Sequence, residues 1–388
     1  MAEVTNFEHN GVSVETTESP EAMGGLGDNV VGLVGTAPKA DMSVPRSYPF
    51  RINSFTLAAL LDPTGTEAGS LYHTVHAILK VVKVPIYVVI EEEGATPADT
   101  VNAIIGGVDA TSGQVTGLGA LALCAEVPTI IGAPGFSDKQ AVHSELASLG
   151  KRIRARVVFD GLDTDVAGQV VNSQAIGGAA LGYDRCYMVH QMPAVYSKAA
   201  KANVFLPPSS LAIAAMAAVK QWESPGNQVT YAADVARTVE YNILDKSTEG
   251  DLLNRYGVSY YARTTLGGFS LLGNRSITGK FISYVGLEDA ITRKLVKAAQ
   301  KVMAKNLTKT FMEQEVKRID DWIQTLVADE TIPGGKVYLH PELNSVEKYK
   351  NGTWYLCIDY GRYAPNEHMI YQLNASDAII EEFLEDVL

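Results

Sequence analysis

From residue 30 to residue 190 the chain alternates short apolar runs with longer stretches of helical period. VVGLVG (30–35), VPIYVVI (84–90), PTIIGAPG (128–135), RARVVFDG (154–161) and DRCYMVH (184–190) are rich in β-branched residues and bounded by turn residues. Between the later ones lie SDKQAVHSELASLGKRI and DTDVAGQVVNSQAIGGAAL, which repeat their apolar residues at helical spacing. Short strands that are apolar throughout, separated by helices, predict a parallel sheet with helices on its faces. SSLAIAAMAAVKQW (209–222) predicts a strongly apolar helix packed on that sheet.

Near residue 223 the pattern becomes mixed and turn-rich. Two amphipathic helices are then predicted. One spans roughly 287–306, with Leu287, Ile291, Leu295, Ala298 and Val302 on one face; the other spans roughly 309–328, with Met312, Val316, Ile319, Ile323 and Leu326 aligned. Strand patterns follow at 335–340, 352–361 and 368–374, and a last short helix opens at Ser376. At the other end, the first twenty residues hold one alternation, GVSVET, which cannot bury a face alone. The chain therefore divides into an N-terminal arm (1–20), a parallel-sheet α/β domain (21–264), an α+β domain of paired helices and antiparallel strands (265–375), and a C-terminal arm or helix (376–388).

Charge sharpens the view of the ends. The net charge of −12 is uneven: residues 1–20 carry four acids and residues 366–388 six, both without Lys or Arg. Residues 291–312 carry six basic groups and no acid. Within them Lys294, Lys297, Lys301 and Lys305 are spaced for one helical stripe, which repels itself unless it is solvated or an acidic surface faces it. An acidic chain argues against nucleic-acid binding. No apolar run reaches the ~18 residues of a membrane span, and the N-terminus has no apolar signal core. Three well-separated cysteines (Cys124, Cys186, Cys357) predict reduced thiols, and the four Asn-x-Ser/Thr sequons, Asn274 and Asn351 among them, carry no weight without a secretion signal.

Enzyme signatures are thin. GLGALA (117–122) fits a dinucleotide fingerprint, but the polar DATSGQVT before it is no buried strand, so a turn with a helix start is the better reading. His73 and His76 lack a third ligand. There is no nucleophile elbow and no Walker A loop. Asp160, Asp163 and Asp165 cluster at a strand's C-terminal end, where α/β enzymes hold ligands, and they support an alternative reading as a cytosolic enzyme; capping of the next helix is the competing explanation.

Eight segments taken in order complete the picture. HNGVSVETTES matches an HGV-V opening, and VVGLVGTAPKAD the strand after it. GAPGFSDKQAVHSELASLGKRIRARVVFDG matches an APG…AVA…L…LRA…DG unit; SPGNQV and DLLNRYGV match SPSN and LLN--GV. LLGNRS matches a WGNRT corner, with Leu272 in place of Trp and Ser276 in place of Thr. NLTKTFMEQEVKRIDDWIQTLVADE and VYLHPELNSVEKYKNGTWYLCIDY match a helix pair and a C-terminal hairpin. Over nearly its whole length the chain thus resembles the contractile phage tail sheath proteins of temperate myophages and R-type bacteriocins.

The resemblance implies a structural subunit without catalytic residues, metal or cofactor. Such subunits stack as rings around a tail tube in an extended state and shorten to drive the tube through a cell envelope. The α/β domain would lie outside and the helix-pair domain inside, near the tube. The arms would add strands to adjacent copies, through Gly11, Val12, Ser13 and Val14 at one end and Ile379, Ile380, Phe383 and Leu384 at the other. The lysine stripe would face the tube or a neighbour's acidic arm. Other copies, the tube protein, the baseplate and the tail terminator would be partners, in a virion tail or bacteriocin particle built in the bacterial cytoplasm. In the corner, Gly273 permits a turn, Asn274 is placed to bond its own backbone, and Arg275 brings five donors to a domain junction.

Overall fold

The buried runs assemble into the sheet that their pattern predicts. The computed structural model describes residues 23–176 and 181–387. Its strands in the first half are β1 (Val31–Thr36), β2 (Phe50–Ile52), β3 (Ile86–Glu91), β4 (Ile130–Gly132), β5 (Arg156–Asp160), β6 (Cys186–Val189), β7 (Pro193–Ser197) and β8 (Ala202–Phe205). Those of the second half are β9 (Gln228–Val229), β10 (Asp234–Val235), β11 (Val258–Arg263), β12 (Phe269–Leu272), β13 (Gly335–Leu339) and β14 (Leu356–Tyr360). The helices are α1 (Phe55–Ala58), α2 (Leu71–Val81), α3 (Pro97–Ile105), α4 (Gln140–Ile153), α5 (Val166–Ala175), α6 (Ser209–Ala218), α7 (Glu249–Arg255), α8 (Ile282–Gln300), α9 (Lys309–Ala328), α10 (Val346–Lys350) and α11 (Asp377–Val387).

One sheet runs β2-β3-β1-β4-β5-β6-β11-β12-β9. From β3 to β11 its neighbours are parallel, and antiparallel strands close both sides. Alternation sorts the side chains onto its two faces. Val158 and Tyr187 join α2 and α6, which is buried from Ser209 to Ala217, in one core; Val157, Phe159 and Met188 join α3, α4 and α7 in the other. Both faces are covered, so the strands read as continuous apolar runs rather than as alternating ones. A second small sheet, β10-β7-β8, branches off after β6.

Contacts divide the described residues into two units, one within 28–289 together with 364–387, the other 23–27 with 290–363. The sequence placed the division at 264/265; it falls instead inside α8. The physical reason is pairing: β12 is hydrogen-bonded to β11 and β9, so everything up to the GNR corner belongs to the large sheet.

In the smaller unit, α9 packs on the β13–β14 hairpin. Its Trp322, Ile323 and Leu326 are buried, and Asp320 accepts a hydrogen bond from the Val337 amide. The hairpin pairs in register from Gly335–Tyr360 to Leu339–Leu356 and has no third strand among the described residues. The predicted strand over 368–374 has no regular structure and is exposed throughout, because no strand among the described residues reaches it.

Candidate functional site

The corner is built by contacts far apart in sequence. Gly273 has φ of +126°, and a Cβ there would come within 2.3 Å of Ser259 Oγ on β11. Only glycine meets both demands. Its carbonyl accepts the buried Tyr187 hydroxyl at 2.7 Å. Asn274 does not close on its own backbone as expected: its Oδ1 accepts Ser224 Oγ at 2.5 Å. That links the GNR turn to the SPGN turn, whose Gly226 leaves the room for this approach.

Arg275 is held on three sides. Its guanidinium lies 3.9 Å over the Phe281 ring, and Nη1 donates to the Gly279 carbonyl at 2.8 Å. Nη2 and Nε donate to the Glu367 carboxylate at 2.7 and 3.2 Å. Arg275 therefore ties the root of the C-terminal segment to the corner within the larger unit, not one domain to another. The sequence offers no sign of this pair, which spans 92 positions.

A second anchor was missed. Arg185, buried, forks onto Asp289 through Nε (3.1 Å) and Nη2 (2.8 Å), and Nη1 reaches Asp184. Burial opposes the guanidinium's charge, but these carboxylates outweigh it and its pKa is raised. A signal did exist: Asp289 follows Val285 by four on the buried stripe of α8, where a lone carboxylate demands a cation.

The lysine stripe is only partly a helix face. Lys294 and Lys297 lie on α8, which ends at Gln300; Lys301 and Lys305 fall in the turn and loop beyond, where Ala304 takes φ of +66°. Past Gln300 the α8 ladder tightens into turns, with the Lys301 and Val302 amides bonded to the Ala298 and Ala299 carbonyls, and Thr308 then caps α9. Burial, with the like charges of Lys297 and Lys301, lowers the pKa of Lys294. The root of the N-terminal arm runs beside it, since a Cβ on Gly24 would lie 3.6 Å from Lys294 Nζ. Gly11, Val12, Ser13 and Val14 lie outside the described residues.

At the other end, α11 is exposed on every side. Its apolar residues Ile379, Ile380, Phe383 and Leu384 form a face that none of the described residues covers, with Ile379 66% and Phe383 62% exposed. Before it, Ile370 and Leu373 are 78% and 93% exposed. Among the described residues, Glu367 supplies the hydrogen bonds that join residues 364–387 to the rest of the chain.

The aspartate cluster does three separate structural jobs. Asp160 is buried and accepts the Gly135 amide, the Ser137 hydroxyl and the Ser209 amide at the start of α6; burial nevertheless raises its pKa. Asp165 caps α5, and Asp163 pairs with Arg237. A cavity of about 290 Å³ opens beside them, lined among others by Asp160, His190, Gln191 and Arg237. Gln191 is consumed by the Tyr261 backbone, and burial followed by Arg237 holds His190 down at about 4. No nucleophile faces a base there, and the enzyme reading finds no support. GLGALA forms a buried 3₁₀ turn whose Gly117 amide donates to Glu91. His73 faces Glu67 at 3.6 Å, and His76 stacks on Tyr72. Among the described residues there is no cluster of three metal-ligating side chains, no helix is long and apolar enough to cross a membrane, and the three cysteines are free.

No protein-family model matches the chain. A prophage major tail sheath protein of Pseudomonas aeruginosa (strain UCBPP-PA14) is 26% identical over 371 residues, which is 92% of this chain and 93% of that protein. The major tail sheath protein of Serratia phage KSP20 is 32% identical over 158 residues, 39% of each. Among solved structures, the sheath of an extracellular contractile injection system, the PVC sheath complex in its contracted state, superposes with a TM-score of 0.69 at 14% identity, over 96% of this chain and 98% of that one. The anti-feeding prophage baseplate in its contracted state gives 0.71 at 17% identity, over 94% and 98%. These superpositions establish the fold, and the near end-to-end match with a sheath protein agrees with the order of motifs along the sequence. Over nearly its whole length the chain is similar to a contractile tail sheath protein in sequence, and to contractile sheath structures in fold.

Proposed function

We propose that this chain is the subunit of a helical sheath that polymerises around a tail tube, and that it links its neighbours by lending them its ends. The observation that carries the reading is the C-terminal segment. Residues 368–374 have a strand pattern, α11 has an apolar face, and neither has a partner among the described residues. The β13–β14 hairpin offers the complementary deficit, two strands with no third among the described residues. Completing a neighbour's hairpin satisfies both. About five paired residues give about five backbone hydrogen bonds at ~1 kcal/mol net each, modest per copy but repeated at every copy. The N-terminal arm, with Gly11, Val12, Ser13 and Val14, would act in the same way.

Shortening of such a mesh would drive the tube through a cell envelope, with the energy held in the extended arrangement and no catalytic group required. Lys294 and Lys297, with Lys301 and Lys305 beyond the helix end, would meet an acidic surface of the tube or of a neighbour's arm; burial first, and then the like charges of Lys297 and Lys301, lower the pKa of Lys294, and an acidic counter-surface would offset that repulsion. The smaller unit would then face the tube and the larger one lie outside. Baseplate and terminator would bound the polymer, assembled in the bacterial cytoplasm as part of a phage tail or bacteriocin particle.

Negative-stain microscopy of the purified chain tests this: long tubes or helical polymers are expected. Removing residues 1–18 should leave a soluble monomer. A small closed oligomer from the intact chain would overturn the reading.

A further inference from the structure

We propose that Arg275 and Glu367 form a latch that sets the working length of the C-terminal arm. This rests on the reading of residues 364–387 as a linking arm. The receptor half of the latch is built without the arm. Phe281 supports the Arg275 guanidinium from below at 3.9 Å, and the Gly279 carbonyl holds Nη1, so Nε and Nη2 point at a preformed carboxylate site. Glu367 fills it with both oxygens. A fork held rigid in this way loses little freedom on binding a carboxylate.

The consequence is one of length. Upstream of Glu367, the Gly361 amide is bonded to the Gly334 carbonyl at the end of the hairpin. With the latch engaged, the free strand from Glu367 to the start of α11 at Asp377 can extend about 35 Å. With it open, the free strand begins near Gly361 and can extend about 55 Å. The arm thus has two lengths that differ by about 20 Å, and the contact that selects between them is weak enough to open under load. Both partners are about one-third exposed, the regime in which an ion pair shifts an equilibrium by only about fivefold and weakens with salt. A single chain can therefore stay joined to a neighbour at a near and at a far spacing.

The test uses the full-length chain below its assembly concentration, with Cys357→Ser and spin labels at Val171→Cys on exposed α5 and Gln372→Cys on the arm. The intact latch should give one narrow distance distribution. Arg275→Glu and Glu367→Arg should each broaden it at least about twofold, as should 1 M salt, and the double swap R275E/E367R should narrow it again. Sheaths assembled from either single variant should show a several-fold change in the ratio of extended to contracted particles, restored by the swap. Unchanged widths in the single variants would overturn the latch. Widths that respond while the sheaths keep their wild-type ratio and spacing would overturn its length-setting role. Normal sheaths from a chain lacking 364–388 would overturn the arm reading itself, whatever the labels report.

Discussion

Two single residues carry sharp predictions. At Gly273, left-handed backbone and the approach of Ser259 act together. Gly273→Ala should cost about 2–4 kcal/mol, the sum of a strained φ and a sub-contact Cβ, read as a lower urea midpoint with unchanged slope. His190 predicts acid sensitivity. Burial is the main cause of its depressed pKa, with Arg237 adding to it and Glu249, Asp165 and Asp163 opposing. The unfolded chain takes up the proton near pH 6.5, whereas the folded one resists it to about 4. Stability is therefore whole above pH 6.5 and falls as the pH drops towards 4, by up to about 3 kcal/mol. His190→Gln should flatten this limb of the urea-stability profile. If wild type and variant decline equally between pH 7 and 4.5, the imidazole is not shielded as described.

At the scale of elements, legibility followed how local each cause was. α9 was placed correctly at both ends, because Thr308 caps it and its apolar stripe is uninterrupted. α8 was placed five residues late at its start and six residues long at its end. Its buried stripe includes Asp289, which reads as polar until Arg185 is seen against it, and past Gln300 its ladder gives way to turns although the helical spacing of the sequence continues. The parallel strands were legible because burial on both faces leaves an unbroken apolar signature. The corner was legible as a turn, but Ser224 and Glu367 were not, since both arrive from distant segments. The strand pattern at 368–374 is the instructive exception: the sequence encodes a strand that the single chain does not form. Ile370→Asp should leave the monomer's stability within about 0.5 kcal/mol, as an exposed substitution does, yet block polymerisation by charging the strand that the proposed linkage would lend to a neighbour. Polymers of normal length from this variant would mean that the segment pairs with nothing.

For the molecule as a whole, folding and assembly draw on different residues, and this separation can be measured. Residues 364–387 are almost entirely exposed, and their recorded tie to the body is one partly exposed ion pair. Such a pair is worth at most about 1 kcal/mol. For a chain of this size a loss of that order moves the melting temperature by about 2 °C or less. A chain ending at Tyr363 should therefore melt within about 2 °C of the intact protein and keep its circular dichroism apart from the loss of one short helix, while failing to polymerise at any concentration. The acidic end makes the complementary point: it holds six of the chain's acids in its last 23 residues, so like-charged ends repel in free subunits and need a basic or apolar counter-surface to settle on. Raising the salt should speed assembly of the intact chain by screening that repulsion, until it weakens the contacts that the ends make, and it should leave the truncated chain monomeric throughout. If the truncated chain melted 10 °C lower, the end would belong to the fold, and its exposure would no longer argue for a neighbour.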